Sequence, residues 1–173
     1  YVVTPKVIAV VVTAADKVYD GNNVATLTAN SADILAGDVV NVHGAIGTFA
    51  NKNVVRDGSG NAVTQTVTVS GAGVGLGGTD GANYTVTNAN SIPSTTAKIT
   101  PKDLTTSGIT ASDKVYDGST TAAINSANAV LAGMVAGDSV NVASQTANSN
   151  FADKNVAFDG AGAVASQAVT VSG

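Results

Sequence analysis

Alternation of apolar and polar side chains is the main pattern along this chain, and it predicts half-buried β-strands. Residues 63–69 place three Val residues and Gln65 on one face and three Thr residues on the other. Residues 83–87 and 96–100 alternate in the same way, with Tyr84 on an apolar face. We therefore predict sheets that bury one face and expose the other.

Turns separate the predicted strands at short intervals. Asp-Gly pairs stand at residues 20–21, 57–58, 80–81, 117–118 and 159–160. Such spacing favours antiparallel hairpins over parallel strands joined by helices. We expect at most one helical turn per copy, around residues 34–36 and 129–132. The most apolar run, residues 7–12, predicts a buried strand and is too short to cross a bilayer.

One block of six residues occurs twice in identical form, as Asp16–Gly21 and as Asp113–Gly118. Further blocks match between residues 4–6 and 100–102, 37–42 and 137–142, 49–54 and 151–156, and 67–71 and 169–173. Extra residues enter between matched blocks and never within them, so the blocks predict framework strands and the gaps predict surface loops. We predict two tandem units, residues 1–100 and 101–173, with residues 1–5 resembling the closing strand of a preceding unit.

Proline marks the joint before each unit. Val3–Lys6 corresponds to Ile99–Lys102, and both segments contain Thr-Pro-Lys. A residue without an N–H ends ladder pairing there while the strand direction continues. Short joints of this kind predict coaxial, semi-rigid units in an elongated array, and a chain that is an excerpt of a longer polypeptide.

Residues 72–100 have no counterpart in the second copy. The second unit is therefore expected to lack the strands equivalent to 83–87 and 97–100. An uncovered sheet edge invites pairing with another chain, and we predict such an edge in the second unit.

Composition narrows the classes of function. The net charge is −4, and all 12 acidic residues are Asp. Few Lys and Arg residues give little attraction to phosphates or anionic lipid, so we expect neither nucleic-acid binding nor membrane insertion. The absence of Cys excludes a disulfide framework. Aromatic residues make up 4% of the chain, which predicts a core of small aliphatic side chains.

The matched blocks give the chain a family resemblance. The repeated Asp-Lys-Val-Tyr-Asp-Gly, the Gly-Asp-x-Val-x-Val of residues 37–42 and the Phe-Ala-x-Lys-Asn-Val of residues 49–54 resemble the YDG repeat family. These repeats are similar to bacterial Ig-like modules of filamentous-haemagglutinin-type adhesins, which are exported by two-partner secretion. The resemblance implies an all-β fold of tandem antiparallel Ig-like β-sandwich repeats, an extracellular or cell-surface location, and no catalytic residues.

The candidate site is the repeated motif itself. Its predicted structural residues are Asp16, Lys17, Tyr19, Asp20 and Gly21, and in the second copy Asp113, Lys114, Tyr116, Asp117 and Gly118. We expect both Asp-Gly carboxylates to accept backbone N–H groups within the turn, and both glycines to adopt positive φ. Tyr19 and Tyr116 favour core packing of the ring, and the alternative is a platform on which a glycan stacks.

Residues 57–61 present side-chain oxygens at Asp57, Ser59 and Asn61, as the start of a calcium loop does. The second copy keeps only Asp159, so a hairpin is favoured over a weak calcium site, and no other cofactor is predicted. His43 is the only His and its counterpart is Ala143, which argues against a catalytic triad.

Two modifications enter as hypotheses. A Lys–Asn isopeptide crosslink would use Lys17, Lys52 and Asn53, or in the second copy Lys114, Lys154 and Asn155, and it requires a buried Lys. Residues 83–85 fit the triplet for N-glycosylation, with Asn83 expected on the exposed face.

Two functions of different class remain. The favoured one is a structural stalk or spacer, whose partners are neighbouring repeats of the same polypeptide, with polysaccharide or host surface bound through other regions. The alternative is an adhesive module that binds exopolysaccharide or host glycan. An enzyme is not predicted, because neither copy supplies a cluster of acid, base or metal-ligating residues.

Overall fold

The computed structural model describes residues 1–142 and 149–171. Within these residues the chain forms short strands and one 3-10 turn, Gly81–Asn83, and no α-helix. The predicted all-β class is therefore confirmed. The chain divides into two compact units, Tyr1–Lys102 and Asp103–Gly173.

The strands of the first unit are β1 (Lys6–Ile8), β2 (Val11–Ala14), β3 (Lys17–Val18), β4 (Val24–Ala25), β5 (Leu27–Asn30), β6 (Asn41–His43), β7 (Ile46–Phe49), β8 (Gln65–Ser70), β9 (Gly75–Gly77), β10 (Tyr84–Val86), β11 (Thr95–Ala97) and β12 (Ile99–Thr100). Those of the second unit are β13 (Thr105–Ser107), β14 (Thr110–Ala111), β15 (Ile124–Asn125), β16 (Val130–Ala132), β17 (Ser149–Phe151) and β18 (Val169–Val171).

An antiparallel four-stranded sheet in the order β11-β8-β7-β4 forms the centre of the first unit. The pairs β2–β5 and β6–β9 are antiparallel as well. The pairs β1–β10 and β12–β3 are parallel, which differs from the predicted antiparallel arrangement. The strands of each parallel pair lie far apart in sequence, so no tight hairpin fixes their direction.

The core of the first unit lies against β8. Along this strand Gln65 and Val67 are buried while Thr66 and Thr68 are exposed, which confirms the predicted alternation. Val67 packs with other buried side chains, namely Ala25, Phe49, Ala97 and Ile99. Partly buried Ala14, Tyr19, Leu27 and Val54 surround this cluster.

The last two strands of the first unit close its core. β11 pairs with β8 and β12 pairs with β3, and the segment places Ala97 and Ile99 inside at 2% and 0% exposure. Burial of an aliphatic side chain such as Ile99 contributes about 1.5–3 kcal/mol. The closing segment is therefore part of the core and not an appendage.

The predicted buried strand over residues 7–12 is wrong in two respects. The run forms two strands and not one, because β1 ends at Ile8 and β2 begins at Val11. Val7 and Val11 are each 55% exposed, whereas Ile8 and Val10 are fully buried. The run therefore alternates faces although its composition is uniformly apolar. At the break, the Asn88 side-chain amide accepts from the Val10 N–H and donates to the Val10 carbonyl, both at 2.9 Å, and so replaces a strand partner.

Neither predicted helical turn forms a helix. Residues 34–36 lie in turns, and residues 130–132 form β16 in the second unit, antiparallel to β13. Pairing with β13 gives the backbone of this segment its hydrogen bonds, and such tertiary pairing overrides the helix propensity of Ala and Leu.

The second unit repeats the central pairing but not the closure. Phe151 lies opposite Val169 between β17 and β18, as Phe49 lies opposite Val67 between β7 and β8. Phe49 and Val67 are 1% and 0% exposed, whereas Phe151 and Val169 are only partly buried. The described part of the second unit holds no strand equivalent to β11 or β12, so one face of this core is uncovered.

Because β11 and β12 cover the core of the first unit only, we expect the same Val→Ala substitution to lower the unfolding free energy of the two units by different amounts. Val67→Ala should lower the unfolding free energy of the first unit by about 2 kcal/mol, because the lost methyl groups leave a cavity in a closed core. Val169→Ala should cost the second unit less than half as much. Hydrogen exchange resolved by residue would measure both, and equal losses would show that closure does not complete the core.

Candidate functional site

The repeated motif builds a clamp around one Lys side chain, which we call the lysine clamp and define as Lys17, Asp20 and Asn22. The Lys17 Nζ lies 2.7 Å from the Asp20 Oδ1 and 2.9 Å from the Asn22 Oδ1. It also donates to the carbonyls of Asn22 at 3.0 Å and of Val24 at 3.1 Å. A single charged group thus ties the turn after β3 to the start of β4.

The second unit builds the same clamp from Lys114, Asp117 and Ser119. The Lys114 Nζ lies 2.7 Å from the Asp117 Oδ1, 2.7 Å from the Ser119 carbonyl and 3.0 Å from the Ser119 Oγ. Ser119 takes the place of Asn22, so a hydroxyl oxygen replaces an amide oxygen. The two units therefore share the geometry although this side chain differs.

An aromatic ring lies beneath each clamp. The Lys17 Nζ is 5.7 Å from the centre of the Phe49 ring, and the Lys114 Nζ is 5.8 Å from the Phe151 ring. The face of an aromatic ring attracts a cation within about 6 Å. The Phe-Ala-x-Lys-Asn-Val block and the motif, which lie apart in sequence, therefore meet at the ammonium group.

The Asp-Gly pair shapes the turn that the lysine closes. The Asp20 Oδ1 accepts the Asn22 N–H at 3.1 Å, and the Asp117 Oδ1 accepts the Ser119 N–H at 2.9 Å. Gly21 has a φ of 81° and Gly118 a φ of 78°, a left-handed conformation that side chains disfavour. The Lys17 ammonium, with the Asn22 N–H, lowers the pKa of Asp20 below 3.8.

The two tyrosines of the motif lie in unlike surroundings. Tyr19 is half-buried and packs against the closed core, whereas Tyr116 is 56% exposed. The expectation of core packing is therefore wrong for Tyr116. The reason is again closure, since the Tyr19 N–H donates to the Thr100 carbonyl of β12 at 2.9 Å and the second unit has no described counterpart of that strand.

Comparison with protein families gives one match in two parts. The YDG domain model matches residues 4–92 and again residues 100–173. The chain belongs to the YDG domain family. No curated protein matches it, and no solved structure matches it. Both copies of the YDG motif, including both lysine clamps, lie within the matched residues.

Sequence reasoning missed the role of a buried glutamine next to the YDG motif. The Gln65 Oε1 accepts the Asn51 N–H at 2.8 Å, and its Nε2 donates to the Asn53 carbonyl at 3.2 Å. Gln167 makes the equivalent bonds to Asp153 and Asn155. The position of Gln65 among Val residues on one face of residues 63–69 could have indicated this role, because a buried Gln must find hydrogen-bond partners.

A second missed contact fixes the Gly-Asp block of the first unit. The buried Tyr84 donates its hydroxyl proton to the Asp38 Oδ2 at 2.5 Å and accepts the Leu35 N–H at 3.0 Å. The Asp38 carboxylate raises the pKa of Tyr84 above its usual 10.0. Tyr84 therefore joins β10 to the loop before β6, and the Tyr serves packing and hydrogen bonding at once.

The remaining candidates lie at separate places. The Asp57 Oδ1 accepts the N–H groups of Ser59 and Asn61, both at 2.9 Å, and Asp159 makes the same contacts in its hairpin. These amides hold the pKa of Asp57 below 3.8.

His43 is exposed on β6, and its counterpart Ala143 lies outside the described residues, as do the matched Ser172 and Gly173. Asn83 is exposed, as predicted.

The structure does not bring together the residues of the isopeptide hypothesis. Lys52, Asn53, Lys154 and Asn155 are all exposed. The Lys17 and Lys114 Nζ atoms instead lie 2.7 Å from the Asp20 and Asp117 Oδ1 atoms, respectively. The geometry therefore favours ion pairs over a crosslink.

The described residues include no group of three or more His or Asp side chains arranged to hold a metal ion. Among the same residues, none forms a helix long and apolar enough to cross a membrane. What the YDG motif does chemically is to donate and accept hydrogen bonds, within its own turn and, in the first unit, with Lys98 and Thr100 of the closing segment.

Removal of the lysine clamp should destabilise its unit. Lys17→Met keeps an apolar stem over Phe49 but leaves the Asn22 and Val24 carbonyls without their charged donor, which we expect to cost about 1–2 kcal/mol of unfolding free energy. Lys52→Met, in an exposed loop of the same unit, is the matched control and should have little effect. Chemical denaturation would compare them, and equal stability of the two variants would contradict the clamp.

The Asp117 carboxylate provides a test with pH. The Lys114 ammonium, with the Ser119 N–H and hydroxyl, lowers the pKa of Asp117 from 3.8 to about 2. A depressed folded-state pKa adds stability that is present above the unfolded value and is lost as pH falls through the folded value. We expect the stability of the second unit to decline from about pH 4 toward pH 2.

The titration of Asp117 itself checks the cause. Nuclear magnetic resonance of its carboxyl carbon should give a midpoint near 2, and Lys114→Met should move that midpoint toward 3.8. A midpoint that does not change in Lys114→Met would rule out Lys114 as the main cause.

Proposed function

We propose that this chain is a structural stalk, or spacer, in a large bacterial cell-surface or biofilm-matrix adhesin of the filamentous-haemagglutinin type. In this proposal the units are Ig-like β-sandwich repeats, secreted by a two-partner route, and their partners are neighbouring repeats of the same polypeptide. The YDG match and the all-β fold are the starting points.

The observation that carries the proposal is the use of the motif residues. In both units the Lys and the second Asp of the motif bond to each other and to their own turn. A motif that recognised a ligand would direct polar groups outward. These residues instead stabilise a turn, and a turn stabilised identically in successive units suits a repeat whose role is to fold reliably many times.

The surface also suits a spacer. The exposed positions of β8 and β11 are Thr66, Thr68, Ser70 and Thr96, and the net charge of −4 disfavours self-association through charge. Short Thr-Pro-Lys segments before each unit limit the length of the joint. Reach would then depend on the number of units, which is a geometric function and needs no reactive group.

One observation favours the alternative, a glycan-binding module. Tyr116 is 56% exposed and lines an open groove together with Phe151 and Gln167. Exposed aromatic rings next to polar groups are suited to stacking on a sugar. The same arrangement is absent from the first unit, where Tyr19 packs against the core.

A glycan array with the purified chain separates the two functions. The spacer predicts no saturable binding, and Tyr116→Ala should leave the array unchanged. Saturable binding that Tyr116→Ala abolishes without a change in thermal unfolding would contradict a pure spacer and support the glycan module. Labelling of intact producing cells with antibody to the chain tests the surface location, and signal only after lysis would overturn it.

A further inference from the structure

Two parallel strand pairs lie where the chain enters and leaves the first unit. β1 pairs with β10, and β12 pairs with β3, each in the same direction. The first YDG match begins at residue 4 and the second at residue 100, so β1 is the strand by which the chain enters this repeat and β12 the strand by which it leaves. The entering and the leaving strand are thus both held in parallel ladders.

Tension along the chain pulls the two strands of each pair in opposite directions. A pull at residue 4 draws β1 toward its start, while β10 is held by the later chain that leads to residue 102. A pull at residue 102 draws β12 toward its end, while β3 is held by the earlier chain that leads to residue 4. Because the paired strands are parallel, they must slide along each other before they separate, and their ladder bonds are loaded together.

Side chains add hydrogen bonds to the ladder between β1 and β10. The Ile8 carbonyl accepts the Thr87 N–H at 3.1 Å and the Thr87 hydroxyl at 3.3 Å. The Asn88 amide then bonds both backbone groups of Val10, each at 2.9 Å. Ile8 and Val10 are 1% and 0% exposed, so sliding of this segment must also expose two core side chains to water.

The ladder between β12 and β3 is built in the same way. The Lys17 N–H donates to the Lys98 carbonyl at 3.0 Å, and the Tyr19 N–H donates to the Thr100 carbonyl at 2.9 Å. The Thr100 hydroxyl adds a bond to the Lys17 carbonyl at 3.3 Å. Ile99 lies between these bonds and is fully buried. Each parallel pair therefore joins backbone bonds, a Thr hydroxyl and a buried aliphatic side chain.

We propose that these two parallel pairs form a force-bearing site, through which the first unit resists tension along the chain. Bonds that are loaded together share the pull, and the buried side chains beside them exclude water, which strengthens each bond. This inference goes beyond the proposed spacer, which requires reach but no resistance to force. A unit that unfolds under weak tension would refute the force-bearing site and leave the stalk proposal standing.

Single-molecule force spectroscopy with two directions of pull tests the site. The chain has no Cys, so a pair of introduced Cys residues defines each direction. Thr4→Cys with Lys102→Cys pulls along the chain, whereas Ala45→Cys with Ala72→Cys pulls at the open end of β7 and β8 and separates that antiparallel pair bond by bond. At the same loading rate, we expect the unfolding force along the chain to be at least about twofold higher, because several ladder bonds break together.

Two carboxylates that make the same kind of bond show which strands carry the load. The Asp16 Oδ1 accepts the Lys98 N–H at 2.8 Å beside β12 and β3, and the Asp80 Oδ2 accepts the Val39 N–H at 2.8 Å away from both parallel pairs. Asp16→Ala should lower the unfolding force along the chain and leave the force in the second direction unchanged. Asp80→Ala is the matched control and should leave the force along the chain unchanged.

The second direction of pull separates a lost load-bearing bond from a general loss of stability, since a general loss lowers the unfolding force in both directions. Equal unfolding forces in the two directions would overturn the proposal. So would an Asp16→Ala variant that lowers both forces alike, or an Asp80→Ala variant that lowers the force along the chain as much as Asp16→Ala does.

Discussion

Closure of the β8 face by residues 95–100 is the contact on which the first unit depends. This segment covers Phe49 and Val67, pairs with two different strands, and receives hydrogen bonds from the motif backbone. Where the second unit lacks a described equivalent, Phe151, Val169 and Tyr116 are uncovered together. The lack of this segment among the described residues of the second unit thus explains several differences between two units that share the same motif.

The lysine clamp depends on local contacts and not on the closing segment. Its bonds link residues within seven positions of one another, as between Lys17 and the Val24 carbonyl, so they form without the closing segment. The second unit shows this, since Lys114 keeps its bonds to Asp117 and Ser119 beside an open groove. Local hydrogen bonds therefore preserve the turn, while long-range burial decides whether the core is complete.

The sequence predicted what depends on local pattern. Alternation identified the buried face of β8, and the Asp-Gly pairs identified turns with positive φ at Gly21 and Gly118. It failed where partners are distant: the parallel direction of β12 against β3, the strand at residues 130–132, and the exposure of Tyr116. Direction and burial at these places are set by segments about 25 to 80 residues away or without a described counterpart, and no local periodicity in the sequence reflects such distant segments.

The difference between local hydrogen bonds and long-range burial explains how the same motif forms the same turn in both units. Residues 16–21 and 113–118 are identical, and their clamps are alike, because the clamp needs only its own turn and the ring below it. The motif backbone on the other side of that turn is a strand edge, and an edge requires a partner that the turn cannot supply. A YDG unit therefore combines a turn that its own residues stabilise with a strand edge that a more distant strand must cover.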